Sequence, residues 1–466
     1  MTTTPMTDTP LETLALAVQL PAFAGTSLPA EYAALLAEGL GGVCYFGSNT
    51  ADGPEAVARL SAAIRAANPH AVIAVDEEGG DVTRLHAVDG SPVLGPAALG
   101  AADDLELTRE TGRAIGAELA AVGVNLNFGP VADVNSNPDN PVIGTRSFGT
   151  EAGAVAAQVA AWVGGHQEAG AAACAKHFPG HGDTAQDSHL ELPTVDADPA
   201  TLRARELVPF AAVVEARVAA VMTSHIVVPA LDPDLPGTLS APVLGLLRDE
   251  LGYDGVIVSD ALDMAGASAG RGIPEAAVLS LAAGADLLCI GPDKPASLVR
   301  RTQAAIVAAV HDGRLSRARL ESAAARIARM LDELSPVTAY DIDAERQRAA
   351  ARRAVTVEGE LPDLRDAVVV SVETAANIAV GEVPWGLVPD RTLTPGEPLE
   401  VDPPVILQVR DAHRRPEIVT DGAAVVVEWG WPGPYDGPLP RILTRGYSRP
   451  MAAAVTELLR EAGWSR

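Results

Sequence analysis

Three histidines, two aspartates and a lysine fall within the 14 residues from Lys176 to His189. They are Lys176, His177, His181, Asp183, Asp187 and His189, with Pro179, Gly180 and Gly182 between them. The segment follows directly on an apolar run, residues 171–175. Polar groups this dense at the end of a strand point to a site, and their types allow several chemistries. Asp187 stands two residues from His189 in a glycine-flanked loop. A carboxylate that accepts an imidazole N–H fixes the tautomer and raises the basicity of the ring, which gives a general acid/base pair. An Asp-capped turn with an exposed histidine is the plain alternative. His177, His181, His189 and Asp183 could instead hold a metal, but no HExxH or comparable spacing is present and Lys176 adjoins them. Lys176 could form a Schiff base. With His177 beside it and Arg146 in the preceding loop, a cluster of hydrogen-bond donors for sugar hydroxyls suits the neighbours better. Asp76 is then the natural acceptor, since a carboxylate takes two hydroxyl protons.

Other apolar runs also end in polar groups. Val75 leads to Asp76, Glu77 and Glu78, Phe128 leads to Asp133, Thr223 leads to Ser224 and His225, and Ser259 leads to Asp260. Any one could cap a helix or satisfy a loop. Together they fit a parallel barrel, where residues just past the strand ends share one mouth. Asp260 is an N-cap candidate on its own; at a barrel mouth it could attack an anomeric carbon. Asp263, three residues on, is expected to start the helix, which favours Asp260 for chemistry.

The elements that would position these groups alternate strand and helix from about residue 14 to 330. Expected strands are 42–46, 71–75, 124–128, 172–175, 219–223, 255–259 and 285–290, each nearly continuous in apolar residues. Seven or eight such units predict an α/β fold of the (β/α)8 TIM type rather than an open doubly wound sheet. No GxGxxG follows the first strands. Residues 315–334 read as the closing amphipathic helix and 342–354 as a charged linker helix. Strands at 367–372, 404–409 and 423–428 and a helix at 451–462 make a smaller C-terminal α/β domain. The expected division is 1–335 for the barrel, 336–360 for the linker and 361–466 for the small domain, which is read as structural or interface-forming.

The formal net charge of −27 argues against nucleic acid and anionic membranes as partners. Cys44, Cys174 and Cys289 lie in apolar stretches without CxxC spacing and are expected to be buried thiols. The N-terminal residues have neither a basic nor an apolar signal region, so a cytoplasmic location is expected.

The stretch Lys-His-Phe-Pro-Gly-His-Gly-Asp-Thr-x-x-Asp-Ser-His, residues 176–189, resembles the signature of the β-N-acetylglucosaminidases of glycoside hydrolase family 3. The resemblance covers about residues 15–330 and includes 76–80, 127–133, 143–149 and Ser259-Asp260. It implies a retaining exo-glycosidase on a (β/α)8 barrel, a beta-hexosaminidase of the peptidoglycan-recycling type. By motif position Asp260 is the nucleophile and His189 the acid/base, paired with Asp187. Asp76, Arg84, Arg146, Lys176 and His177 would bind the terminal N-acetylglucosamine of peptidoglycan fragments or chitooligosaccharides. No metal and no organic cofactor is implied. Where the family often has two adjacent aspartates, Ala261 follows Asp260. Glu77 and Asp81 replace a common Gln and Arg, which is expected to add negative charge near the pocket. The rival expectations are a phosphorylase that uses phosphate in place of water and, more distantly, a non-catalytic sugar-binding protein.

Overall fold

A computed structural model describes residues 9–185, 193–374, 379–381, 383–400, 404–435 and 437–466. Eight parallel strands form the first sheet: β1 (Gln19–Pro21), β2 (Gly42–Tyr45), β3 (Val72–Val75), β4 (Leu126–Asn127), β5 (Ala172–Phe178), β6 (Ala220–Thr223), β7 (Val256–Ser259) and β8 (Leu287–Gly291). Their order is β1-β8-β7-β6-β5-β4-β3-β2, so the sheet curls into a barrel that is nearly closed between β1 and β2. The Gly41 N–H bridges that seam to Leu16 O at 3.0 Å. Alternation along the strands divides the core. Val72 and Ala74 lie on the inner face of the barrel with Leu20, Phe128, Met222 and Cys289. Ile73 and Val75 face the surrounding helices. The three cysteines are free and buried, and burial pushes the Cys44 and Cys174 thiols up.

The expected barrel is present with two adjustments. β1 has only three residues and was not predicted. β5 runs past residue 175, so Lys176 and His177 lie on the strand itself. The closing helix spans Arg317–Asp332.

The second sheet has order β11-β10-β12-β13-β14-β9, built from β9 (Thr356–Glu358), β10 (Val368–Val372), β11 (Arg391–Leu393), β12 (Val405–Val409), β13 (Val425–Glu428) and β14 (Arg441–Leu443). All its neighbours are parallel except the β14–β9 edge. The Arg449–Glu461 helix covers it, started by Ser448, whose hydroxyl accepts the Met451 N–H. Within the expected linker, helix Ala344–Ala354 packs against both Arg449–Glu461 and the barrel's Pro96–Ala102 helix. Its Gln347 accepts the Leu94 N–H and donates to the Thr111 hydroxyl. This element is thus a wedge bonded to the barrel, and its sequel, β9, belongs to the second sheet.

Candidate active site

The barrel's C-terminal mouth holds a cavity of about 730 Å³. The ion-pair network on one wall starts from Glu78, which is buried past the end of β3. Arg146, on a short turn at Gly144–Arg146, forks onto it, with Nε 3.0 Å from Oε2 and Nη2 2.7 Å from Oε1. Lys176 Nζ lies 2.7 Å from the same Oε1 and 2.6 Å from Asp76 Oδ1. Two cations and two carboxylates therefore balance in a site removed from water. Burial alone would raise the Glu78 carboxyl, but Arg146 and Lys176 outweigh it and hold it well below the carboxylate range. Burial opposes the charge on Lys176 and Arg146 too, and the carboxylates more than restore it. Asp76, at 19% the most exposed of the four side chains, presents this network to the cavity.

His177 is held from behind by Asp133. The carboxylate takes the ring's Nδ1 at 2.7 Å, the His177 N–H at 3.2 Å and the His181 N–H at 2.7 Å. Burial raises Asp133 and the histidine charge lowers it, with a net depression. With Nδ1 so engaged, Nε2 is the ring nitrogen left for a ligand. His181 also lines the cavity, and burial lowers it to about 4, so it is neutral near pH 7.

Asp260 stands at the end of β7 and lines the cavity. Its N–H donates to the Thr223 hydroxyl at 3.1 Å, and its Oδ1 accepts the Ala261 N–H at 2.7 Å. His225, expected at the mouth, instead supports this turn: its Nε2 lies 2.9 Å from Ala261 O. Asp263 does not start the next helix, whose cap is Met264. Its side chain lines the cavity and pairs with Lys294 at 2.8 Å.

Arg84 reaches the cavity by a route that side-chain types do not reveal. Its guanidinium donates to the backbone carbonyls of Ala379 at 2.8 Å and Val380 at 3.3 Å, both beyond β10 in the second unit. Ala379 itself lines the cavity. The acidic residues at 77 and 81 do not add charge there. Glu77 turns back to accept the N–H groups of Arg84 and Leu85. Asp81 accepts the Thr145 hydroxyl at 2.7 Å and the Tyr447 N–H at 3.0 Å, and pairs with Arg410 at 3.2 Å.

Asp76, Arg84, Arg146, Lys176, His177 and Asp260 are thus brought to one cavity. Asp187 and His189 lie outside the described residues. Glu78 and Asp133 had no role assigned from sequence; their signal was a carboxylate following an apolar strand. Phe46, Phe128, Met222, Met264 and Cys289 supply apolar lining. Among the described residues, no group of three or more His, Cys, Asp or Glu side chains is placed to hold a metal ion, and no helix is long and apolar enough to cross a membrane.

A parallel barrel whose mouth sets a carboxylate in one cavity with a network of charged donors and acceptors is a frame shared by many barrel enzymes, glycoside hydrolases among them. Residues 17–330 match the glycosyl hydrolase family 3 N terminal domain. Beta-hexosaminidase A of Pseudoalteromonas piscicida is 37% identical over 336 residues, which is 66% of this chain and 56% of that protein. The beta-hexosaminidase of Alkalilimnicola ehrlichii is 39% identical over 288 residues, 59% of this chain and 81% of the relative. The chain thus spans little more than half the length of the first relative. The solved structure of a glycoside hydrolase family 3 beta-N-acetylglucosaminidase from Paenibacillus sp. str. FPU-7 superposes with a TM-score of 0.86 at 32% identity, over 97% of each chain. The chain belongs to glycosyl hydrolase family 3.

Proposed function

We propose that this protein removes non-reducing terminal β-linked N-acetylglucosamine from peptidoglycan fragments or chitooligosaccharides with retention of configuration. The observation that carries the reading is the placing of Asp260 in one cavity with the Asp76–Lys176–Glu78–Arg146 network. The network, with Arg84 and His177, holds the hydroxyls of the terminal sugar. Asp260 attacks the anomeric carbon, and the glycosidic C–O bond breaks as His189 gives its proton to the leaving oxygen. Water then attacks the glycosyl-enzyme, His189 takes its proton, and the Asp260 carboxylate leaves. Asp187 orients His189. In this reading residues 1–335 form the catalytic barrel, 336–360 the connection and 361–466 a smaller unit that steadies the β3 loop.

The test is turnover of a 4-nitrophenyl β-N-acetylglucosaminide and of chitobiose, with and without phosphate. Free sugar at the same rate in both buffers is expected, and Asp260→Asn should abolish it. A 2-fluoro sugar should label Asp260; a label elsewhere refutes the assignment. Sugar 1-phosphate as the main product would make the enzyme a phosphorylase.

A further inference from the structure

Lysine is nearly absent from this chain. The 34 basic residues include two lysines, Lys176 and Lys294. Arginine serves every other basic position, including exposed pairs such as Arg203–Glu250 and Arg300–Glu38. A chain that uses arginine wherever either cation will do keeps lysine where a compact point charge is needed and a planar fork is not. Lys176 is such a place, set between two carboxylates at the mouth. Lys294 pairs with one carboxylate at the rim of the same mouth. Its Nζ lies 2.8 Å from Asp263 Oδ2, both side chains are 20% exposed, and Asp263 lines the same cavity as Asp76.

The backbone around this second pair is tightly held. The Lys294 N–H donates to Ala22 O at 2.8 Å, and its carbonyl accepts the Tyr32 hydroxyl at 2.8 Å. Pro292 and Pro295 flank it. The Asp263 carboxylate lies against Gly291, where a Cβ would fall 2.1 Å from Oδ1 and φ is +104°. Only glycine leaves room for that carboxylate there. Nothing in the proposed attack on the terminal sugar uses the pair.

We propose that Asp263 and Lys294 form a second sugar subsite, which binds hydroxyls of the saccharide that leaves. This rests on the glycosidase reading above. The chemistry repeats that of Asp76 and Lys176. The carboxylate accepts hydroxyl protons, and the ammonium has two donors left after Asp263 takes one. Asp263 follows Asp260 by three residues, so the subsite adjoins the reacting centre. The cavity volume lies within the range of small-molecule sites, and Phe46, Met264 and Pro292 offer apolar surface to a ring face.

The experiment compares chitobiose with a 4-nitrophenyl β-N-acetylglucosaminide, in wild type, Lys294→Met, Lys294→Arg and Asp263→Asn. Loss of one charge-assisted hydrogen bond should lower kcat/KM for chitobiose about tenfold or more. The aryl substrate, which brings no hydroxyls to the subsite, should stay within about twofold. Lys294→Arg keeps the charge and guards against a fold defect, and it should show the same preference for loss on the disaccharide. Equal losses on both substrates would mean a merely structural role and overturn the subsite, as would unchanged turnover of chitobiose. A wild type inactive on both would overturn the glycosidase reading and the subsite with it.

Discussion

Replacing Glu78 by glutamine tests whether one buried carboxylate holds the proposed sugar-binding network together. The side chain keeps its size, but Arg146 and Lys176 lose the charge they share. Three charge-assisted contacts converge on Glu78, and removing one partner of a buried ion pair costs about 3–5 kcal/mol. Glutamine retains one acceptor oxygen, so about 3 kcal/mol is expected, which corresponds to a fall in Tm of about 3 °C for a chain this large. KM for the N-acetylglucosaminide should rise about tenfold, because Lys176 and Arg146 are no longer fixed. The pH dependence follows from the depressed Glu78 carboxyl. Such a group stabilises fully above its unfolded value, about 4.3, and the contribution drains away as the pH falls below it. The Tm gap between wild type and Glu78→Gln should therefore be constant from about pH 8 to about 5 and narrow below about pH 4. Thermal unfolding by circular dichroism across that range, with KM at neutral pH, is the assay. A variant that melts within a degree of wild type and binds substrate as well would show that the network does not depend on Glu78.

Two further substitutions probe groups that act through others. Asp133→Asn removes the carboxylate behind His177 and should lower kcat/KM about tenfold or more while Tm falls only modestly; an unchanged kcat/KM would mean His177 needs no such partner. Glu206 lies under the Pro179–Thr184 turn, beside Arg205, and its buried Oε2 has no hydrogen-bond partner among the described residues. Burial raises its carboxyl to about 7, against the pull of Arg205. A carboxyl raised on folding leaves stability intact below its unfolded value and erodes it as the pH rises toward the folded one. Glu206→Gln should thus match wild type near pH 4 and gain on it as the pH rises to about 7; urea unfolding at the two pH values measures this, and a gain at pH 4 alone would contradict the account.

How much of this was legible depended on whether a residue acts by its own side chain and within an apolar run. β2, β3, β5, β6, β7 and β8 showed as near-continuous apolar segments because they are covered on both faces. β1 spans only Gln19–Pro21, and β9 is the polar Thr356–Glu358; neither carries a periodic signal long enough to read. Lys176, His177, Arg146 and Asp76 could be found by type and place. Asp133 showed as a carboxylate after an apolar strand, but its bond to His177, 44 residues on, did not, and Ala379 acts by a backbone carbonyl that no side chain signals.

The departures at 77 and 81 show the same limit in reverse. Read locally, two extra carboxylates next to Asp76 and Glu78 look like added charge at the pocket. In the folded chain Glu77 closes the turn that presents Arg84, bonding the N–H groups of Arg84 and Leu85. Asp81 finds its complement more than three hundred residues away, in Arg410 and the Tyr447 N–H of the second unit. An arginine at 81 would face Arg410 across the 3.2 Å that the ion pair now spans. The acidic residue is therefore matched to the second unit, not to the substrate. That unit holds the β3 loop at Asp81 and again through the Ala379 and Val380 carbonyls on Arg84. A loop that carries Asp76, Glu78 and Arg84 to the cavity is thus positioned from outside the barrel, and in the proposed function this is how the C-terminal unit acts on sugar binding.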